Sequence, residues 1–443
     1  MKKLEKRAIL CLLLAAVLFG GLCVYTYRYV HDGHKWATFY GNSHLYHNGV
    51  LAIGKIYDRN GVLLAANGKG KDGMVKYSSS ETVRRASAHA VGDMNGNVST
   101  SAESVYKDRL VGYNLLTGTY SVSGKGNEVH LSISAKACKT AYEALGSHNG
   151  VVGVYNYKTG EILCMVSKPT FDPQNPSSNV ENGTYMNKFL SGRLTPGSTF
   201  KLVTSAAAIE NIKDLNSFSY YCTGVRNMGG WKIRCDAAHG QVDFTSALAK
   251  SCNGAFSVLS DKLGNKTMAE YTRKAGLETS YNIDGIHNAK GTFDFPDNAF
   301  NLAWAGIGQW KDQVNPCSMM VYMGAIARDG VSVVPRVLKP TVATGRTTDR
   351  MIETTTAERL KKMMRNNVEK TYGAENFPGL QICAKTGTAE VNGAKPNAWF
   401  DGFLDDDEHP YAFVVCVEDG GFGQTVAAPV ANKVLQELVR ENS

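Results

Sequence analysis

The sequence predicts a mixed α/β (α+β) protein in which a central antiparallel sheet is flanked by helices. Strand-like segments occur at both ends of residues 129–443, and helical patterns fill the middle of this region. First and last strands separated by helices are expected to share one sheet. An apolar N-terminal helix and a small β-rich pedestal precede this region.

Composition indicates an ordinary folded chain. Its 443 residues suffice for two or three domains, and 43% of them are hydrophobic while 20% are charged. The net charge of +8 is modest, and the basic residues beyond the first seven positions are scattered among acidic ones. A nucleic-acid-binding surface needs clustered basic residues, so we expect no nucleic-acid partner.

Residues 8–27 predict a transmembrane anchor. The segment carries no charge, and its twenty residues would rise about 30 Å as a helix, which matches the hydrocarbon of a bilayer. The basic residues in 1–7 predict a cytoplasmic tail and an extracytoplasmic bulk. A cleaved signal peptide is the alternative, but no small-x-small site follows the apolar run. We therefore expect a single-pass protein of the cytoplasmic membrane.

Residues 28–128 predict the pedestal. Val50–Tyr57 and Val62–Ala65 are strand-like, and the intervening Asp58-Arg59-Asn60-Gly61 is typical of a hairpin turn. Parts of residues 66–105 are expected to be poorly ordered.

Residues 129–443 predict a single large domain with a more regular pattern. Strands are predicted at Val129–Ile133, Val151–Tyr157, Glu161–Val166, Gln381–Glu390, Ala398–Leu404 and Tyr411–Glu418. Helices are predicted at Ala135–Leu145, from Thr195 through Ala208, within 245–275, within 315–328 and at Asn432–Glu441.

Ten cysteines are present, eight of them outside the anchor. Cys222 and Cys235 bracket a Gly-rich loop and are the natural candidates for a disulfide. A zinc site built from this pair and His239 is an alternative that lacks a fourth ligand. The remaining thiols are expected to be free.

Ser198 is the preferred nucleophile candidate. It follows Pro196-Gly197 and precedes good helix formers, so it lies in a first helical turn, where unpaired N–H groups favour negative charge. Lys201 falls on the same face one turn later. A serine needs an adjacent base, and a lysine is a base only where a dry site or another cation lowers its pKa. Lys385 is expected to supply that cation.

The same Ser-x-x-Lys spacing recurs at Ser104–Lys107, in a loop-like region where the Ser104 hydroxyl is expected to be solvated. Ser-x-Asn occurs at 147–149, 177–179, 251–253 and 280–282. We prefer Ser251-Cys252-Asn253, because it lies between the other two motifs with helical pattern on both sides.

Lys-Thr-Gly occurs at 158–160, where it joins two strands and predicts a hairpin turn, and at 385–387, inside a strand. Gly387 would weaken that strand unless a substrate backbone approaches closely. The hydroxyls of Thr386 and Thr388 suit a carboxylate ligand.

Taken together, these segments resemble class B (monofunctional) penicillin-binding proteins. Ser-x-x-Lys, Ser-x-Asn and Lys-Thr-Gly mark serine β-lactamases and penicillin-binding proteins. The resemblance covers residues 129–443 and rests on Arg193–Lys201, Tyr157–Leu163, Phe171-Asp172-Pro173, Gly306–Gln309 and Ala384–Glu390, with Asp58–Gly61 in the pedestal. Ile53, where the family usually has Arg, and the bulky Trp310 depart from the pattern.

The resemblance implies a peptidoglycan D,D-transpeptidase with a penicillin-binding/serine β-lactamase-like fold. Ser198 would accept the acyl group, Lys201 would be its base, Ser251 would pass protons and Lys385 would tune the charge. Asn253 would hold the donor amide. Thr386, Gly387 and Thr388 would bind substrate, and the Ser198 and Thr388 N–H groups would form the oxyanion hole. No metal or organic cofactor is expected.

The implied partners are peptidoglycan stem peptides, β-lactam antibiotics, the membrane and a polytopic glycosyltransferase of the shape, elongation, division and sporulation (SEDS) type. Three alternatives remain open: a D,D-carboxypeptidase, a class D β-lactamase, and a non-catalytic β-lactam sensor or scaffold. Class D enzymes carry Ser-x-Val where this chain has Ser251–Asn253. A sensor needs a longer cytoplasmic segment than residues 1–7.

Overall fold

The N-terminal helix is far longer than the predicted anchor. The computed structural model describes residues 2–39, 46, 47, 50, 51, 53–67, 75–114, 116, 126–340, 345–391 and 395–442. Helix α1 (Lys2–Ala37) contains the predicted anchor, and its segment Lys2–Gly33 is long and apolar enough to cross a membrane. The side chains of residues 2–28 are all exposed, so the helix has an apolar surface that the rest of the protein does not cover.

The N-terminal region contains a small sheet. Its elements are β1 (Tyr46–His47), β2 (Val50–Leu51), β3 (Ile56–Tyr57), β4 (Leu63–Asn67), β5 (Val75–Tyr77), α2 (Glu81–Val91), α3 (Ala102–Val105), α4 (Lys107–Val111) and β6 (Val129–His130). The four-stranded order is β5-β4-β3-β6, and only the β3–β6 pair is parallel. The predicted hairpin is present as β3–β4. The Asp58 carboxylate accepts hydrogen bonds from the backbone N–H groups of Asn60, Val62 and Ala135.

The expectation that parts of residues 66–105 are poorly ordered stays a prediction, since residues 68–74 lie outside the described residues. Helix α2 packs against β4 and against the strand Ile162–Lys168, and its last six residues are all buried. Small side chains such as Ala86 and Ala90 allow this close packing. The pedestal is therefore mixed α and β rather than β-rich. Ile53 is also buried, which accommodates the departure noted at that position.

The larger region contains the remaining elements. They are α5 (Ala135–Ala144), β7 (Gly150–Asn156), β8 (Ile162–Lys168), α6 (Lys188–Ser191), α7 (Lys201–Asn211), β9 (Ser219–Cys222), β10 (Val225–Met228), β11 (Trp231–Arg234), β12 (Gly240–Asp243), α8 (Phe244–Ala249), α9 (Asn253–Lys274), β13 (Asn282–Ile283), β14 (Ile286–His287), α10 (Ala299–Ala305), α11 (Pro316–Ala327), β15 (Val331–Val333), β16 (Thr347–Arg350), α12 (Thr354–Asn367), β17 (Ile382–Ala389), β18 (Asn397–Leu404), β19 (Tyr411–Val417) and α13 (Gly423–Asn442).

The central sheet confirms the predicted architecture. Its order is β17-β18-β19-β7-β8, antiparallel throughout, so strands from both ends of the region meet side by side. Helices α11 and α13 both contact β18 and β19 without packing on each other, which assigns them to opposite faces of the sheet. Helix α5 joins α13, and α12 joins α11. Because α11 is apolar on every side, it is buried along its whole length.

The pedestal and the larger region share a continuous hydrophobic core. β6 pairs with β3, so the expected boundary after residue 128 falls inside the small sheet. Arg84 of α2 makes a bidentate ion pair with Asp172, in which the Arg84 Nε donates to the Asp172 Oδ1 at 2.7 Å and the Arg84 Nη2 donates to the Oδ2 at 2.8 Å. Such planar pairing fixes orientation as well as distance. Asp172 belongs to the Phe-Asp-Pro segment, so that segment joins the two regions.

Glu103 of α3 makes a pH-dependent contribution to stability. Its side chain is buried and accepts a hydrogen bond from the Tyr77 hydroxyl at 3.1 Å. Burial raises the pKa of the Glu103 carboxyl to about 8, the Tyr77 hydrogen bond opposes this shift, and Asp93 adds to it. In the unfolded state the pKa of a glutamate is about 4.3. At pH values between these two pKa values, the Glu103 carboxyl is protonated in the folded state and ionised in the unfolded state. The free energy of unfolding therefore falls as the pH rises through this range.

We expect Glu103→Gln to remove this fall, because the amide stays neutral and still accepts the Tyr77 hydrogen bond. The melting temperature of the detergent-solubilised chain should match the natural protein near pH 5 and exceed it at about pH 8.5. Glu81→Gln, at an exposed position of α2, is the control and should keep the natural pH dependence. The same offset between Glu103→Gln and the natural chain at both pH values would contradict the assignment.

Candidate active site

Ser198 and Lys201 lie in one tight helical turn. Gly197–Phe200 form a 3₁₀ turn that continues directly into α7. Residues three apart eclipse each other in a 3₁₀ turn, so Lys201 lies directly over Ser198. The Lys201 Nζ donates a hydrogen bond to the Ser198 Oγ at 2.7 Å, while Lys201 itself is fully buried.

The Gly306–Gln309 segment supports this turn. The Gly197 N–H donates to the Gly308 carbonyl oxygen at 2.8 Å. A Cβ on Gly308 would lie 2.0 Å from the Gly197 carbonyl oxygen, so only glycine allows this approach. Trp310, the bulky departure, has φ of 63°, is 42% exposed and is not among the residues that line the cleft.

Ser251 and Asn253 face the same amine from the connection between α8 and α9. The Lys201 Nζ donates to the Ser251 carbonyl oxygen at 2.9 Å, to its Oγ at 3.1 Å and to the Asn253 Oδ1 at 2.6 Å. Ser251 has φ of 52°, an uncommon conformation for a residue with a side chain. Such strain persists only where the surroundings enforce it, which is typical of functional sites.

Lys385 completes the cluster from β17. Its Nζ donates to the Ser251 Oγ at 3.0 Å and to the Thr386 carbonyl oxygen at 2.8 Å, and the side chain is fully buried. A continuous chain of hydrogen bonds therefore runs from Ser198 through Lys201 and Ser251 to Lys385. All three sequence motifs meet in one place.

Both amines are easier to deprotonate than free lysine. Burial lowers the pKa of Lys201 to about 8, against the opposing influence of Cys235, Cys252 and Asp236. Burial also lowers the pKa of Lys385 well below its usual range, and the charge of Lys201 lowers it further. Burial, rather than the expected cation at Lys385, is thus the main reason why Lys201 can be neutral.

The strand that carries Lys385-Thr386-Gly387, β17, lies at the edge of the central sheet among the residues that the structure describes. A π-helical turn at Val368–Tyr372 places the Tyr372 hydroxyl where it accepts the Thr386 N–H at 3.1 Å. A Cβ on Gly387 would lie 2.9 Å from the Trp399 Cβ and 3.0 Å from the Pro196 carbonyl oxygen. Packing of Gly387 against Trp399 and the nucleophile turn thus disfavours a larger side chain, and close approach of a substrate stays a prediction.

An open cleft of about 430 Å³ runs past these motifs. Ser198, Ser251, Asn253, Thr386 and Thr388 line it. Residues outside the three motifs also line the cleft, namely Arg234, Asp236, Trp304, Gln309, Tyr372, Phe422 and Gln424. Of these, only Gln309 belongs to a segment singled out in the sequence.

The competing motifs lie elsewhere. The Ser104 hydroxyl donates to the Val98 carbonyl oxygen at 2.8 Å, so the prediction that it is solvated is wrong. Ser280 donates to the Asn288 carbonyl oxygen at 2.7 Å, away from the cleft. The Lys-Thr-Gly at 158–160 forms the turn between β7 and β8, as predicted.

Four potential metal ligands lie behind the Ser251–Asn253 segment. The ligand atoms of Cys222, Cys235, His239 and Cys252 are all within 4.8 Å of one another. The first three were candidates from the sequence. Cys252 was missed because it is the variable middle residue of the Ser-x-Asn motif.

Comparison with known proteins agrees with this geometry. Residues 150–436 match the family described as penicillin binding protein transpeptidase domain. Peptidoglycan D,D-transpeptidase PbpA of Mycolicibacterium smegmatis is 27% identical over 382 residues, covering 76% of this chain and 77% of that protein. Stage V sporulation protein D of Bacillus subtilis is 28% identical over 330 residues, covering 68% of this chain and 50% of that protein.

Solved structures share the fold. A ceftriaxone acyl-enzyme complex of penicillin-binding protein A from M. tuberculosis superposes with a TM-score of 0.75 at 24% identity, covering 87% of this chain and 98% of that one. The D,D-transpeptidase domain of a peptidoglycan glycosyltransferase from Eggerthella lenta also superposes with a TM-score of 0.75, at 23% identity. This match covers 88% of this chain and 98% of that one. Because the family profile matches well over half of its residues, the chain belongs to the penicillin-binding protein transpeptidase family and is similar to its class B members.

Proposed function

We propose that the protein is a peptidoglycan D,D-transpeptidase that cross-links stem peptides through an acyl-Ser198 intermediate and is inhibited by β-lactams. The observation that carries this proposal is the hydrogen-bonded chain of Ser198, Lys201, Ser251 and Lys385 at the floor of an open cleft. A serine hydroxyl becomes a useful nucleophile when a neutral base lies within hydrogen-bond reach. The buried Lys201 amine, 2.7 Å away, meets that requirement.

The first half-reaction is acylation. Neutral Lys201 accepts the Ser198 hydroxyl proton while the Ser198 Oγ attacks the carbonyl carbon of the penultimate D-alanine. The N–H groups of Ser198 and Thr388 donate to the oxyanion, and each such donor is worth roughly 3 kcal/mol of the barrier. Ser198 lies in the first turn before α7, where N–H groups have no helical partner.

The nitrogen of the departing D-alanine must be protonated as its C–N bond breaks, and the proton available is the one that Lys201 took from Ser198. Ser251 is hydrogen-bonded to both amines, so its hydroxyl relays the proton from Lys201 to the departing D-alanine nitrogen. The C–N bond breaks and an ester on Ser198 remains. An acceptor amine from a second stem peptide then attacks the ester and loses its proton by the reverse route. A new amide forms, and Ser198 regains its hydrogen.

The walls of the cleft suit an extended peptide. β17 is the outer strand of the described sheet, so the donor peptide adds alongside it as a further strand. The Asn253 Nδ2 uses one hydrogen on the Arg234 carbonyl oxygen at 2.7 Å, which leaves the second for the donor amide. The hydroxyls of Thr386 and Thr388 line the cleft where the terminal carboxylate would lie.

We further propose that residues 8–27, within α1, anchor the protein in the cytoplasmic membrane with residues 28–443 outside. The support is the exposed apolar surface of α1 and the basic residues at its start, Lys2, Lys3, Lys6 and Arg7. We treat residues 129–443 as the catalytic unit and 28–128 as its pedestal. A SEDS-type glycosyltransferase partner stays a prediction that rests on the family resemblance alone.

The nucleophile assignment predicts that Ser198→Ala abolishes labelling by a fluorescent penicillin. The natural chain should form a stable adduct, because the ester is protected from fast hydrolysis in a transpeptidase. Ser104→Ala is the matched control, since it alters the other Ser-x-x-Lys and should leave labelling unchanged. Labelling measured on gels with the detergent-solubilised chain decides the point. Rapid loss of label from the natural chain would favour a class D β-lactamase instead.

The reaction class is tested with a pentapeptide ending in D-Ala-D-Ala, together with an amine acceptor. We expect mass spectrometry to detect both free D-alanine and a product in which the acceptor amine replaces it. Release of D-alanine without any amine product at saturating acceptor would identify a carboxypeptidase. Ser198→Ala should give neither product, which controls for contaminating enzymes.

The base assignment predicts a pH profile. Since the pKa of Lys201 is about 8, its neutral fraction rises with pH, and the rate constant of penicillin acylation should rise with a midpoint near pH 8 and then level off. Cys235, Cys252 and Asp236 raise this pKa, while Lys385 faces the same hydroxyl. Lys201→Ala should slow acylation by about 10²- to 10⁴-fold, the usual value of a general base.

Lys139→Ala, at a partly exposed position of α5, is the control for the loss of one positive charge. It should retain both the rate and the profile of the natural chain. A natural profile that is flat across neutral and mildly alkaline pH would refute Lys201 as the titrating base.

A further inference from the structure

Three thiols and an imidazole converge beside the cleft. The Cys222 Sγ lies 3.8 Å from the Cys235 Sγ and 3.5 Å from the His239 Nδ1, and the Cys235 Sγ lies 3.9 Å from the Cys252 Sγ. Cys222 and Cys252 are buried, whereas Cys235 and His239 are partly exposed. The four residues come from the end of β9, the connection between β11 and β12, and the N-cap of α9.

These three separations match tetrahedral zinc coordination, and the other three are no longer than 4.8 Å. A tetrahedral zinc ion with Zn–S bonds of about 2.3 Å and Zn–N bonds of about 2.0–2.1 Å requires sulfur atoms about 3.8 Å apart and a sulfur–nitrogen separation of about 3.5 Å. Sulfur-rich tetrahedral sites select zinc over harder cations. Four protein ligands leave no open position, so the site is of the structural kind.

The surroundings suit thiolates. The backbone N–H groups of Gly224, Gly254 and Ala255 each point at a different sulfur, on Cys222, Cys235 and Cys252 respectively, at 3.4 Å. Hydrogen bonds of this kind orient metal ligands and stabilise their anionic form. The partly exposed Cys235 and His239 provide access for an ion from solvent.

The segment that carries Cys222, Cys235 and His239 has little core of its own. We call residues 219–243, which contain β9 to β12, the wall lobe. Its strands form only two-stranded sheets, and just Cys222, Ile233 and Val242 of its strand residues are buried. Two-stranded units are at best marginally stable in water. A bound metal contributes its binding free energy directly to folding in such segments.

We propose that Cys222, Cys235, His239 and Cys252 bind one structural zinc ion that fastens the wall lobe to the catalytic Ser251–Asn253 segment. Cys252 lies between Ser251 and Asn253, two of the three residues whose oxygens accept hydrogen bonds from the Lys201 Nζ, so an ion held by Cys252 fixes the backbone that carries both. Cys252 is a positioning residue in this scheme. Binding is a ligand exchange in which thiol protons leave to solvent, and no oxidation occurs.

Two polar contacts carry the effect into the cleft. The Asn253 Nδ2 donates to the carbonyl oxygen of Arg234, the residue before Cys235. The Lys250 Nζ donates to the carbonyl oxygen of His239 at 3.2 Å. Metal binding would therefore fix the position of the Asn253 side chain and hold the Ser251 backbone in its left-handed conformation. The proposal rests on the arrangement of the four ligands and does not depend on the proposed transpeptidase activity.

The test begins with metal analysis. The full chain, solubilised in detergent and purified with reductant, zinc salt and no chelator, is desalted and measured by plasma mass spectrometry. We expect about one zinc per chain, the stoichiometry of a single four-ligand site. Cys222→Ser and Cys252→Ser should lose most of it, while Cys317→Ser, at a buried cysteine of α11 outside the cluster, should keep it.

Chelation of the natural chain provides a test that does not depend on whether the variants fold. Stripping the zinc should lower the melting temperature by several degrees and slow fluorescent penicillin acylation roughly tenfold or more. Adding zinc back, but not magnesium, should restore both. Ser198→Ala should bind zinc normally although it cannot be labelled, so failure of the metal site and failure of the catalytic proposal are distinguishable.

Three results would overturn the proposal: a natural chain that holds no zinc after this preparation, a melting temperature unaffected by chelator, or equal loss of zinc in Cys317→Ser. A Cys222–Cys235 disulfide found by peptide mass spectrometry in the chain as isolated would also overturn it, because a disulfide removes two of the four ligands.

Discussion

The buried amine of Lys201 sets the constraint on which the rest of the site depends. One Nζ contacts oxygens from three residues, Ser198, Ser251 and Asn253. An amine without access to water is costly unless its hydrogens are satisfied, so the fold must deliver those oxygens within about 3 Å. The same burial lowers the pKa of Lys201 and makes it a base. Stability and reactivity therefore impose the same geometry.

The central sheet meets one half of this requirement by packing. β17 fits against the 3₁₀ turn of the nucleophile because Gly387 leaves room for the Pro196 carbonyl and for Trp399. Gly308 allows a similar approach on the other side of the turn. Close-packed backbone is stiff, and so the Ser198 turn and Lys385 are held by the part of the molecule with the largest hydrophobic core.

The sequence predicted what periodicity and motif chemistry encode, and it missed what only the tertiary structure creates. The central sheet, the apolar N-terminal helix and the three motifs all follow from local patterns. Helix α2 was missed because its alanines carry a weak apolar signal that becomes decisive only against β4 and β8. The far walls of the cleft, such as Phe422 and Tyr372, have no motif and are assembled by the fold. The packing of Gly387 likewise involves the Pro196 carbonyl, which is distant along the chain.

The opposite wall of the cleft lacks the packing that holds β17, and this asymmetry explains why its attachments are polar. The wall lobe is tied to α9 by Arg226, which contacts Ser257 at 2.7 Å and Asp261 at 2.5 Å. Partly exposed ion pairs of this kind contribute little stability. Ser251 must nevertheless keep the carbonyl oxygen of a strained backbone within 2.9 Å of the Lys201 Nζ. Strain of this kind persists only when several independent attachments enforce it. Cys252 and the three other potential metal ligands beside it lie at the point where one more attachment would constrain both Ser251 and Asn253.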